Sequence, residues 1–379
     1  MSARTSSGPS IATRVFGSQW FVSVLAVLIA FAIGAILIAL SGASVVDAYY
    51  AMFRGSIVDP NAANAVRMIK PLTDSLFYSI PLIISGLGLA LGFRAGLFNI
   101  GGKGQIIVGA LAAVWVGFAV SLPPVVHTLV ALLVAVIAGG LYGGIAGVLK
   151  AKTGANEVIV TIMLNSIATL GLGYTLAQKA WQVPGTNQPV TPKVADSAAF
   201  VRLLPAPFKL HVGFLVAIVA LGLFWWLIER STLGFQIRAV GANAAAARTA
   251  GISVERITAI TMVLSGAFLG LAGANEALGT IGYVSRDVAG SIGFDAITVA
   301  LLGRNKTWGT FGAGLLFGAF KAGGYTMQAK GVPIDMILIL QSVIVLLIAA
   351  PALVRWLFRL PDVRALAANT RKGNADEHK

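Results

Sequence analysis

Five neutral amides fall within apolar runs of this sequence: Asn99, Gln105, Asn165, Asn275 and Gln341. An amide in a bilayer costs free energy unless it is hydrogen-bonded, so each is either glue between helices or part of a polar path. As a path they would suit an uncharged, hydroxyl-rich solute. Charged companions are few, with Glu276, Asp295 and Lys321 near helix ends. No run of Asp, Glu and His suggests a proton relay, and no arginine ladder suggests voltage sensing. The three histidines, His127, His211 and His378, have no metal-ligand spacing, and there is no cysteine. No metal or cofactor is expected. GGKGQ at 101–105 lacks both the spacing of a phosphate-binding loop and a strand before it. With no nucleophile–base pair either, the chain is not expected to be an enzyme. Uphill work would draw its energy from elsewhere.

A second stretch invites docking rather than chemistry: RAVGANAAAARTAGIS, residues 238–253. Asn243 is a good N-cap, Ala244 to Ala250 a strong helix former, and Gly251 a natural stop. Such a helix is far too short to cross a bilayer. Arg238 and Arg248 leave it basic. It is either a solvated loop or a knob held out for another protein to grip.

The elements that must position these residues follow from composition. With 57% hydrophobic and 11% charged residues, the chain is expected to be an all-α polytopic membrane protein. Its 44 glycines suit close packing of membrane helices. Apolar runs predict about ten crossings, at 20–41, 75–93, 104–121, 125–149, 158–178, 211–229, 256–280, 293–303, 308–325 and 333–354. The run at 293–303 is short, as a broken or half helix would be. Residues 1–19 form an N-terminal arm, 20–354 the membrane domain, and 355–379 a tail. The run from Trp20 to Leu40 lacks an A-x-A-like cleavage site, so a retained anchor is expected.

Orientation follows from lysine and arginine. An N-terminus inside places 18 basic residues on the inner side and 10 on the outer, so both termini and the 230–256 loop are expected in the cytoplasm. The net charge of +14 lies in loops and tails without interleaved aromatics, which argues against nucleic-acid binding. Ala198, in the outer loop 179–210, reads as a position that tolerates bulk. Helices 2–5 and 7–10 enter from opposite sides and suggest an inverted repeat. NIGGKGQIIVGAL (99–111) and SIGFDAITVALL (291–302) would open corresponding helices.

FNIGGKGQIIVGA (98–110), GANEVIVTIMLN (154–165), TLGFQIRAVGANAAAARTAGI (232–252) and GFDAITVALLGRNKTWGTFGAG (293–314) together resemble a known family. It is that of the bacterial ABC-transporter permeases for simple sugars, branched-chain amino acids and nucleosides. The resemblance is strongest to the nucleoside permeases linked to basic membrane lipoproteins, and it covers roughly residues 75–350.

The resemblance implies an inner-membrane subunit that forms the substrate path and hydrolyses nothing. Its implied partners are a cytoplasmic ABC ATPase, a second and different permease, and an extracytoplasmic substrate-binding lipoprotein. It makes 230–256 the ATPase-coupling loop, with Gly234, Arg238, Gly241, Asn243 and Gly251 matching the family motif. Ala246 and Arg248 lie on the helix between them. Asn99, Gly101 and Gln105 match one further motif, and Asn156, Glu157 and Asn165 another. A neutral path does not separate a nucleoside from a simple sugar such as a pentose. An ion-coupled secondary transporter is the rival from another class; the missing coupling carboxylates and the cytoplasmic helix stand against it.

Overall fold

The computed structural model describes residues 19–329, with 331–333, 336, 338–339, 342–343 and 346–347. Gln341, the tail 355–379, most of the arm and most of the expected last crossing lie outside them. The described residues fold as helices, and their one β pairing is an isolated bridge between Arg202 and His211.

The chain divides into two units, Met1–Tyr50 with Met327–Lys379, and Ala51–Thr326. In the first, α1 (Gln19–Leu40) is followed by the start of α2 (Val45–Ser56), and Tyr49 sets its ring edge-on against Phe31. The second unit holds α3 (Ala65–Arg94), α4 (Gly102–Ala119), α5 (Val126–Thr153), α6 (Glu157–Ala177) and α7 (Gly213–Trp225). After these come α8 (Thr232–Ala242), α9 (Ala244–Thr249), α10 (Val254–Asn275), α11 (Ile292–Leu302) and most of α12 (Thr307–Gln328). π-helical turns extend α7 over Trp226–Arg230 and α10 over Glu276–Thr280.

Among the described residues, six helices are long and apolar enough to cross a membrane: α3, α4, α5, α6, and α7 and α10 with their π turns. The chain is a polytopic all-α membrane protein. The expected crossing at 293–303 is the 11-residue helix α11, about half a span at 1.5 Å per residue. Helix α3 begins ten residues before the apolar run that predicts it. Asn64 caps it by accepting from the Arg67 N–H at 2.9 Å, and Lys70 pairs with Asp74 one turn on. Caps and i,i+4 ion pairs carry a helix past the residues that hydropathy can see.

Helices α5 and α10 form the tightest packing. Gly139, Gly143 and Gly147 on α5 face Gly266, Gly270 and Met262 on α10 so closely that no side chain fits between. On the other face of α5, Leu129, Leu133, Ile137, Leu141 and Ile145 are exposed every fourth residue. Small residues turned inward and large apolar ones outward are the pattern of a helix bathed in lipid.

Ala198 corrects one expectation: it is wholly buried. The loop folds back, burying Val194, Phe200, Phe208 and Leu210, while Val194 N–H and Phe200 N–H donate to the carbonyls of Gly282 and Leu278. Those apolar residues follow no helical or strand period, so their burial has no signature in the sequence.

Candidate functional site

The 230–256 loop is built from caps. Ser231 opens α8 by accepting from Gly234 N–H at 2.9 Å, and Asn243 opens α9 by accepting from Ala246 N–H at 3.0 Å. Gly251 closes α9 at φ +82°, where Gly251 N–H donates to Arg248 O and Ile252 N–H to Ala247 O. That pair of bonds is a Schellman closure, and its left-handed residue favours glycine. Gly241 is needed for a different reason: a Cβ there would lie 2.1 Å from the Arg94 carbonyl oxygen, so α8 rests directly on the end of α3. Of the α9 side chains only Ala247 is buried; Ala244, Ala245, Ala246, Arg248 and Thr249 are exposed.

Both arginines already have acidic partners within the chain. Arg248 pairs with Glu255 at 2.8 Å. Glu229 lies 3.9 Å from Arg238 and 3.7 Å from Arg94, while Arg94 Nε donates to Asn305 O at 2.7 Å. Glu229 therefore lies between the end of α3 and α8, 135 residues along the chain from the first and nine from the second.

The four amides among the described residues divide sharply. Asn99 donates to Gln105 Oε1 and Ser265 Oγ at 3.0 and 2.9 Å, and its Oδ1 accepts from Gly101 N–H at 2.8 Å. Asn165 accepts from Gly104 N–H and donates to Ile100 O, both at 2.8 Å. These bonds pin the irregular segment 95–101 and the start of α4 against α6 and α10. Asn156 caps α6, and Glu157 pairs with Lys150 at 2.7 Å. Asn275 is different. It is fully buried, its Nδ2 faces only the neighbouring Glu276 carboxylate, and its Oδ1 accepts no hydrogen bond. An orphaned buried amide is costly, so it marks a place where another polar group belongs. The π turn after it is a form that recurs at functional sites.

Around Asn275 the structure gathers further polar groups. A Cβ on Gly213 would meet both Asn275 Oδ1 and the His211 ring. Glu276 and Asp295 share Lys321 as their electrostatic partner. The openings of α4 and α11 also meet: a Cβ on Gly293 would lie 2.5 Å from Lys103 N. Among the described residues, no group of His, Cys, Asp and Glu is placed to hold a metal.

His211 lies in the loop before α7, sealed between the Phe77 and Phe200 rings at 5.4 Å each. Its Nδ1 accepts from Gly213 N–H, which puts the proton of the neutral ring on Nε2. Burial pushes its pKa down to about 4. The unfolded chain, with histidine near 6.5, binds the extra proton first, so stability falls as pH drops from 6.5 towards 4. The loss approaches about 3 kcal/mol. We expect the unfolding midpoint in detergent to drop over that window, and to drop less in His211→Phe; equal slopes for the two would refute the assignment.

The chain matches the model of the branched-chain amino acid transport system / permease component family over residues 72–349. It belongs to that family. Its relatives include the guanosine ABC transporter permease protein of Bacillus subtilis, 39% identical over 89% of this chain and 95% of that one. The glucose ABC transporter permease protein of Haloferax volcanii is 35% identical over 85% of each chain. The nucleoside ABC transporter permease protein of Lactococcus lactis is 32% identical over 92% of this chain and 95% of that one. No solved structure matches significantly. As an ABC permease, the chain is a multi-pass membrane component of a transporter. Sequence reasoning missed Glu229 and Glu255, whose partners Arg238 and Arg248 lie across a helix boundary at no helical spacing, and the burial of Val194, Ala198 and Phe200, whose partners are distant along the chain.

Proposed function

We propose that this permease forms the substrate path of an ATP-driven nucleoside importer. The observation that carries the reading is the 39% identity, over nearly the whole chain, with a permease named for guanosine. The kinship with a glucose permease supports a simple sugar as the second reading. Buried neutral amides and an Asn275 Oδ1 without a donor suit either solute, since both offer hydroxyls and no charge.

In this reading the 230–256 loop faces the cytoplasm, and α9 is the helix an ABC ATPase grips. Gly234, Gly241, Asn243 and Gly251 shape it; Arg238 and Arg248 brace it through Glu229 and Glu255. A second, different permease completes the path, and an external binding lipoprotein delivers the solute. The meeting of α4 and α11 at Gly102 and Gly293 supports an inverted repeat, in which opposed half-helices abut near the midplane. ATP binding draws the ATPase subunits together, pulls on α9, and rocks the two permeases about the path. Asn275 is the path residue with unspent hydrogen bonds. Asn99, Gln105 and Asn165 hold the walls, and Gln341 remains a candidate for the lining.

Proteoliposomes holding the complete importer test this. Guanosine uptake is expected to require ATP and to survive collapse of proton and sodium gradients. A single cysteine at Ala245 is expected to resist an impermeant thiol reagent in intact cells. Gradient-driven uptake by the chain alone, or labelling of Ala245 from outside, would overturn the reading.

A further inference from the structure

At the end of the helices opposite the 230–256 loop, a cavity of about 590 Å³ opens between α2, the start of α3 and the end of α12. Arg54, Lys70, Asp74, Tyr78, Lys209 and Tyr325 are among its lining residues. Ligand pockets typically span about 300–1,000 Å³, so the volume admits a small solute. Two of its cations are spent internally: Arg54 lies 2.6 Å from Asp59, and Lys70 pairs with Asp74 Oδ2. Asp74 Oδ1 is buried and accepts no hydrogen bond. The Tyr78 and Tyr325 rings lie 5.4 Å apart and tilted by 39°, and Tyr325 is 44% exposed. Tyr78 is the electrostatic neighbour of Tyr325, Asp74 and Glu276, so it links the cavity to the π turn after Asn275.

We propose that this cavity is a nucleoside subsite at the mouth of the path. The flat heterocycle stacks on the open face of Tyr325, with Tyr78 behind it. Asp74 Oδ1 accepts a hydrogen bond from a ribose hydroxyl. An aromatic face beside an unspent carboxylate oxygen matches the two halves of one ligand, a planar base joined to a vicinal diol. This assignment rests on the nucleoside reading above and names where the solute is held before it reaches Asn275.

The test uses the complete importer in proteoliposomes with 8-azidoguanosine as photolabel. Label is expected on peptides carrying Tyr78 or Tyr325, and excess guanosine is expected to suppress it. Tyr325→Leu lowers both labelling and guanosine uptake on the order of tenfold, the scale of one lost base–aromatic stack. Tyr325→Phe restores both. Asp74→Asn weakens protection by guanosine more than protection by 2′,3′-dideoxyguanosine, which lacks the diol. If the unmodified importer takes up guanosine, but label falls elsewhere and Tyr325→Leu transports normally, the subsite is wrong and the nucleoside reading stands. If the importer takes up a sugar and no nucleoside, both are wrong.

Discussion

Ala246→Trp stops ATP-driven uptake while the protein accumulates in the membrane at near-normal levels. Ala246 is exposed, and its own N–H is held by the Asn243 side chain. The Asn243 cap and the Gly251 closure fix the six-residue helix at both ends, so it cannot turn the indole aside. A large ring in a close-fitting contact costs on the order of 2 kcal/mol of binding, about thirtyfold in affinity. The substitution lies outside the apolar helices, so insertion is spared. Purified complex should show the ATPase lost or substrate-stimulated hydrolysis abolished. Asn187→Trp, at an exposed position in the opposite loop, is the control and should be mild; Ala198 cannot serve, because it is buried.

Arg238→Glu is expected to abolish uptake by another route, since it sets a second carboxylate beside Glu229. Adding Glu229→Arg recovers uptake where the arginine acts within the chain; a double variant as inactive as the single places Arg238 against the ATPase. Normal uptake by Ala246→Trp with the ATPase still bound would make this stretch a solvated loop.

Gly266→Leu is expected to remove the folded protein altogether. A Cβ at Gly266 would lie 2.3 Å from the Gly139 carbonyl oxygen and 3.1 Å from Gly143 Cα. Those are backbone atoms, so no rotamer relieves the clash and the two helices must separate. Overpacking among side chains costs about 1–3 kcal/mol, and prising apart two backbones exceeds it. Gly171→Leu is the counterpart, because a Cβ there meets nothing within 4 Å. It should be neutral or slightly stabilising, as a better helix former replacing glycine is worth about 1 kcal/mol. Monodisperse yield in mild detergent and the thermal midpoint read both variants. Equal yields would mean that the close contact of α5 and α10 is not what holds this unit together.

The sequence by itself determined whatever depends on neighbours along the chain. Hydropathy is summed over adjacent residues, so it fixed the helical membrane class and most helix positions. Capping reaches only three or four residues, so Asn243 and Gly251 alone define α9. The identities of the polar residues were legible in the same way, but their roles were not. Asn99, Gln105 and Asn275 look alike in an apolar run, yet the first two bond each other, Asn99 also reaches Ser265 and Gly101 N–H, and no donor reaches Asn275 Oδ1. Only the tertiary structure decided which amide has hydrogen bonds to give. It also decided that Glu229 lies between Arg94 and Arg238, that Val194, Ala198, Phe200, Phe208 and Leu210 of the outer loop are buried, and that Asp74, Tyr78 and Tyr325 share one cavity. The physical reason is common to all of these. A hydrogen bond, an ion pair or a buried face is completed by whichever group the fold brings within a few ångströms, and in a bundle of long helices that group is usually tens or hundreds of residues away.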